Sequence, residues 1–212
     1  MADLALSRRS GRIPAADIAA HDAALVDAAG RLFREHGYGG TSIDMIAREA
    51  QASPKTIYAR YGGKLGLFTA VVEAMVARPL AVWDALDAER DPGAVLAEAA
   101  DRFLGIVLSP DVLAIERAII AEAPRLPDLA RTFYARGPRR GLNRLATYLT
   151  DQDRRGRLRI DDGRAAAEVF IALIEGESVR RALFLGERLS ARARRAWLKE
   201  PIAVFMRAYG AG

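Results

Sequence analysis

Cysteine is absent from the 212 residues, and histidine occurs only as His21 and His36. Disulfides, thiolate zinc sites and cysteine nucleophiles are therefore excluded together, and two imidazoles with no second one nearby in sequence do not suggest a metal centre. No glycine-rich phosphate loop and no serine elbow is present, so neither catalytic residues nor a cofactor are expected. No apolar run reaches the ~18 residues needed to cross a bilayer, and the first dozen residues lack the apolar centre of a secretion signal. A cytoplasmic address with no membrane partner is the resulting expectation. Alternating strand patterns, repeats and low-complexity tracts are also missing, which leaves an all-α reading. Lysine is scarce: Lys55, Lys64 and Lys199 stand among 32 Lys and Arg side chains.

What is present suits a packed globular chain, with 51% apolar residues and a net charge of +5. That charge fits a polyanionic partner, but arginine outnumbering lysine beside abundant alanine equally fits a biased base composition, so charge alone decides nothing. Residues 1–16, with Arg8, Arg9, Arg12, Gly11 and Pro14 and no apolar periodicity, read as a flexible basic arm. From Asp17 the pattern is helical. Leu25, Ala29, Leu32, Phe33 and His36 recur at helical spacing, and Gly37 supplies a left-handed stop. Thr41 precedes the narrow stripe Ile43, Ile46, Ala47 and Ala50, with Asp44 placed to cap, and Ser53-Pro54 opens a third short helix. Longer helices are expected over 64–88, where Pro79 should kink or end the helix, and over 92–108, 110–122, 127–150, 162–185 and 190–209, with Gly137-Pro138 dividing the 127–150 segment. The domain division expected is 1–16, 17–63 and 64–212.

The stretch SPKTIYARY, residues 53–61, holds the clearest functional signal. On a helix, Ile57 and Tyr61 face inward, so Lys55, Thr56, Tyr58 and Arg60 are left on the outer surface. Two short helices of which the second offers donors outward form a helix-turn-helix: the second helix enters the major groove and helix N-termini meet phosphates. Thr41, Ser42 and Ser53 supply hydroxyls at those N-termini, and Lys64 opens the next helix as a further phosphate clamp. The plainer reading of the same side chains is a solvated helix face.

The run TSIDMIAREAQASPKTIYARYGGKLGLF, preceded by AALVDAAGRLFREHGYGG, resembles the DNA-binding domain of the tetracycline-repressor-like (TetR) transcriptional regulators over roughly residues 19–69. The resemblance implies an N-terminal three-helix DNA-binding domain and a C-terminal helical domain that binds a small molecule and dimerises. It implies DNA contacts from Thr56 and Tyr58, a base-edge or phosphate contact from Lys55, and backbone clamps from Lys64 and Thr41. Gln51 departs from the pattern, because the family usually has glycine at this turn. Asp44 stands where some relatives carry a base-reading cation, and a helix-capping role is expected instead. In the second half, AIERAIIAEAPRLPDLARTFYARGP and GRLRIDDGRAAAEVF resemble one widespread C-terminal type of the family, with no effector assigned.

Charges embedded in apolar faces mark that second half. Glu116 interrupts the arc of Val112, Leu113, Ile115, Ile119 and Ile120, with Arg117 and Glu122 at its margins. Glu177 and Arg181 stand four apart on the side of Phe170, Ile174 and Phe184. Each such charge needs an internal partner or a ligand. Trp83, Phe103, Glu116, Arg117, Tyr134, Phe170 and Ile174 are the candidate lining of an effector pocket, although aromatics at helical spacing also make plain core. Excess apolar surface on residues 162–185 and 190–209 points to a homodimer built from these two helices. The expected function is a ligand-responsive repressor bound to a palindromic operator. Its rival is a helical small-molecule-binding protein or enzyme in which the helix-turn-helix is only structural.

Overall fold

A computed structural model describes residues 15–211, so the arm expected over 1–16 lies outside the described residues except for its last two, which already belong to the first helix. Ten helices follow in order: α1 Ala15–Gly40, α2 Ile43–Glu49, α3 Pro54–Tyr61, α4 Lys64–Asp84, α5 Pro92–Val107, α6 Pro110–Glu122, α7 Pro127–Arg136, α8 Pro138–Arg154, α9 Gly163–Leu185 and α10 Ala191–Tyr209. Among the described residues, extended pairing is confined to one isolated antiparallel bridge between Leu158 and Gly210.

Local chemistry accounts for most of the boundaries. Gly37, at φ 69°, breaks α1 as its position suggested, and the last turn is a separate piece. Ser53 caps α3 by accepting from the Thr56 amide at 3.0 Å, with Pro54 in the first turn. At α2 the cap is Ser42, whose Oγ accepts from the Met45 amide at 3.2 Å; Thr41 and Asp44, the expected pair, do not cap it. Pro79 does not end α4, which continues to Asp84. This helix also has the length and hydropathy of a membrane span, with a mean hydropathy of 1.6, because the expectation from uninterrupted apolar runs overlooked a window with few charges. Its Leu67, Phe68, Val72, Val76, Leu80 and Trp83 are buried in the protein core.

Two segments carry unusual backbone. Gln51 sits at φ 51°, the one non-glycine residue with positive φ among the described residues. The turn between α2 and α3 thus takes the left-handed conformation that glycine would adopt without a Cβ clash. The second is a break inside α9 at Gly176, φ 39° and ψ −135°. The break frees carbonyls that find other donors: Trp197 Nε1 of α10 donates to Ile174 O at 2.8 Å, and Ser178 Oγ donates to Glu175 O at 2.6 Å. A Cβ at 176 would lie 3.1 Å from Trp197 Cζ2, so both the dihedral and the indole require glycine.

The apolar interior forms two clusters that do not divide at residues 63 and 64. One joins Phe33 and Tyr38 of α1, Ile46 of α2, Ile57 of α3 and Phe68 and Val72 of α4 with Ile115 and Ile119 of α6 and Leu129 of α7. The other joins the end of α4 with α5, α8, α9 and α10 around Trp83, Leu104, Leu149, Phe170 and Phe205. Helices α1, α2 and α3 therefore share one core with α4, α6 and α7. Gln51→Gly is expected to stabilise the chain by about 1 kcal/mol through relief of left-handed strain, less the entropy glycine adds to the unfolded state. Thermal unfolding checks this, with a higher Tm for the variant; an unchanged or lower Tm contradicts it.

Candidate DNA-reading face and regulatory contact

On α3 only Ile57 is buried, and it anchors the helix to α1, α2 and α4 while Lys55, Thr56 and Tyr58 remain exposed. Tyr58 keeps 59% of its surface, and the Cβ position of Gly63 lies 3.5 Å from its ring. Thr56 Oγ1 lies 2.8 Å from Ser53 Oγ, so one hydroxyl pair marks the N-terminus of the helix. Arg48 and Gln51 are exposed on the neighbouring α2 and turn. Sequence reasoning passed over both as outward polar groups, and only their position relative to the turn could have singled them out.

Three of the residues expected to touch DNA have internal duties. Thr41 is buried, and its hydroxyl lies within bonding distance of the carbonyls of Leu32 (3.1 Å) and Gly37 (2.8 Å). It closes the end of α1. Lys64 Nζ donates to Tyr38 O at 2.8 Å and Thr41 O at 2.9 Å and stands 4.4 Å from the centre of the Tyr38 ring. Two of its three N–H groups thus staple the start of α4 to the end of α1, which makes it a structural residue first. Arg60 forms an ion pair with Asp22 of α1, which draws its guanidinium toward that helix. Ser42, Lys55, Thr56 and Tyr58 remain at the surface.

The regulatory half differs more from expectation. Trp83 and Phe103 pack with ring centres 4.9 Å apart, Trp83 and Phe170 6.4 Å apart, and Phe170 and Phe205 5.0 Å apart. With Ile174, they form close-packed core. Tyr134 is exposed on α7. Arg117 Nε donates to Leu183 O at 2.8 Å and its Nη2 to Ala182 O, so this cation caps the last turn of α9. The expected Glu177–Arg181 pair does not form: Glu177 meets Arg180 at 3.6 Å, and Arg181 meets Glu187. An open surface depression of about 560 Å³ is lined by Arg90, Asp91, Arg157, Met206 and Gly210, and a shallower one of about 310 Å³ by Leu32, Met45, Arg48 and Glu49. Neither is lined by the expected effector residues.

Glu116 is partly buried, and burial pushes its carboxyl up to about 7. Glu175 of α9, unmarked by sequence reasoning, is also pushed up to about 7, by burial first and by the charge of Glu116 second. The outer ends of α6 reach the DNA-reading half. Asp111 pairs with Arg34 at 3.3 Å, and Glu122 Oε1 lies 2.6 Å from where a Cβ of Gly39 would stand.

Comparisons with known proteins agree with this geometry. Residues 25–71 match the profile of the bacterial regulatory proteins of the tetR family, and residues 94–211 match the AefR-like transcriptional repressor C-terminal domain. A solved structure from Mesorhizobium loti assigned to the TetR family superposes with a TM-score of 0.83 at 28% identity, covering 91% of this chain and 98% of its own. The flavonoid-responsive regulator FrrA superposes with a TM-score of 0.79 at 28% identity, with 91% and 98% covered. An HTH-type transcriptional repressor of Streptomyces coelicolor is 46% identical over 59 residues, which make up 28% of this chain and 31% of that protein. The sequence match thus spans under a third of the repressor's length, whereas the structural matches extend over nearly the whole chain. With both halves matched in order and the exposed face of α3 intact, the chain belongs to the TetR family of bacterial transcriptional regulators.

Proposed function

We propose that this regulator is a repressor that reads a palindromic operator as a homodimer and responds to a small-molecule effector. The observation that carries the reading is α3, which buries one side chain and turns Lys55, Thr56 and Tyr58 outward beside the Ser42 and Ser53 caps. Such a helix offers a hydroxyl pair, a phenol and an ammonium to a groove while its N-terminus favours phosphate. Lys55 contacts phosphate or a base edge, and Tyr58 and Thr56 contact the operator directly. Repression is supported by the Streptomyces coelicolor protein, whose name is that of a transcriptional repressor. No enzymatic step is assigned to the chain. The effector acts on the regulatory half with Glu116 as its polar anchor, and α6 carries the response to α1.

The dimer reading rests on α9 and α10. Phe170, Ile174 and Phe205 of these two helices lie inside the protomer. Phe184 at 82% exposure, Leu185 at 64% and Val169 at 41% give α9 an outward apolar surface. A partner that buries this surface makes an intersubunit bundle.

Against a duplex selected from a randomised library, Tyr58→Ala is expected to weaken binding by about 10- to 100-fold. Lys55→Ala should lower the salt slope by about 1 per subunit. Gel retardation at several salt concentrations checks both, and unchanged affinity in folded variants contradicts the assignment. Lys64→Ala should instead lower stability by about 2 kcal/mol, through two charge-assisted hydrogen bonds and the tyrosine contact; denaturant unfolding measures it. In sedimentation at micromolar concentration the protein should be a dimer and Phe184→Asp/Leu185→Asp a folded monomer. A monomeric wild type refutes the interface.

A further inference from the structure

Arginines of the DNA-reading helices are held by other parts of the protein, and one of them stands on α3 itself. Arg31 of α1 pairs with Glu49 of α2 at 3.0 Å, and Arg34 of α1 pairs with Asp111 of α6 at 3.3 Å. Arg48 of α2 donates to Asp44 O of its own helix at 3.4 Å. Arg60 lies in the last turn of α3, four residues after Thr56 and so on the same flank. Its Nη1 donates to the Asp22 carboxylate of α1, and the two side chains keep 33% and 39% of their surface. Lys55, at the other end of α3, is exposed and forms no ion pair among the described residues. One cation of the reading helix is thus open to a polyanion while the other is neutralised from α1.

Carboxylate and phosphate accept the same planar fork of guanidinium N–H groups, so Asp22 and a DNA phosphate compete for Arg60. A phosphate contact from Arg60 first breaks the bond to Asp22. It then leaves the Asp22 carboxylate without its cation beside a polyanion. Asp22 therefore opposes that contact twice, through the pair that is lost and through the repulsion that follows. Because both side chains are partly solvated, the pair contributes little to folding, and its effect falls on binding instead.

We propose that Asp22 tunes the sequence-independent part of DNA binding by withholding Arg60 of the reading helix from the phosphate backbone. The proposal rests on the functional reading above, in which α3 enters the groove. Phosphate contacts add affinity to every sequence alike and carry no sequence information. A carboxylate that removes one such contact from each subunit keeps the regulator from being retained on DNA outside its operator, while Lys55, Thr56 and Tyr58 still read the site.

Asp22→Asn keeps the shape of the side chain and removes its charge. A released Arg60 adds one phosphate contact per subunit and steepens the dependence of log affinity on log salt by about 0.9 for each. Between 50 and 200 mM salt the full-length variant dimer should therefore lose about tenfold more affinity than wild type, on the selected duplex and on an unrelated one alike. At 50 mM it should bind both more tightly than wild type. In an Arg60→Gln background the same substitution at 22 should leave the slope unchanged, and Arg60→Met supplies a second such background. Asp27→Asn, which removes a carboxylate from an exposed position of the same helix, should also leave the slope unchanged. Anisotropy titrations over a salt series read every variant, with thermal unfolding to show that each is folded. An unchanged slope in Asp22→Asn, or equal steepening with and without Arg60, overturns the proposal. So does a gain confined to the selected duplex, because a phosphate contact cannot tell the two apart. Wild type that binds no selected duplex at any salt refutes the reading of α3 and the proposal with it, whereas the other contrary results refute only the role of Asp22.

Discussion

Helix α6 cannot move without disturbing the DNA-reading helices, because Ile115 and Ile119 are part of the same buried cluster as Phe33, Ile46, Ile57 and Phe68. Each buried isoleucine contributes about 1.5–3 kcal/mol, a substantial share of a typical domain's net stability. Helices α1, α2 and α3 bury their apolar faces in one cluster with α4, α6 and α7. What a reading head gains in stability it therefore loses in independence. Any event that repositions α6 is felt at α1, where Asp111 and Glu122 reach Arg34 and Gly39 from the two ends of α6.

The second organising feature is where cations are used. Lys64, expected as a phosphate clamp, and Arg117, expected at the effector pocket, are both bound to backbone carbonyls, at the ends of α1 and α9. A helix C-terminus leaves carbonyls unsatisfied and carries partial negative charge, so an ammonium or guanidinium placed there ties two elements together. Arg60 is similarly committed to Asp22. Of the proposed DNA contacts, Ser42, Lys55, Thr56 and Tyr58 keep exposed side chains, on α3 and at the Ser42 cap.

Much of the fold was legible in the sequence, because helix ends are written in local chemistry: Gly37, Ser53-Pro54 and Gly137-Pro138 each fall at the boundary their geometry dictates. The outward face of α3 was legible for the same reason, since a short helix with one buried position leaves little choice. Pro79 misled because an internal proline forfeits only one hydrogen bond when tertiary packing holds the rest of the helix. The break at Gly176 was hidden because its cause is tertiary, an indole from α10 that takes the freed carbonyl. That break also displaced Glu177, which an unbroken register had put on the inner face and which instead is exposed beside Arg180.

The central claim is that two reading heads, held in a dimer, take a spacing governed by α6. The absence of cysteine permits a direct measurement: Ala59, exposed on α3, can be replaced by the sole cysteine of the chain and spin-labelled, and the label-to-label distance read by pulsed electron resonance. The account predicts one narrow distance on the selected duplex, compatible with half-sites about 34–36 Å or a multiple apart, and a different or broader distribution without DNA. No intersubunit distance at all, or a distribution indifferent to DNA, would contradict it.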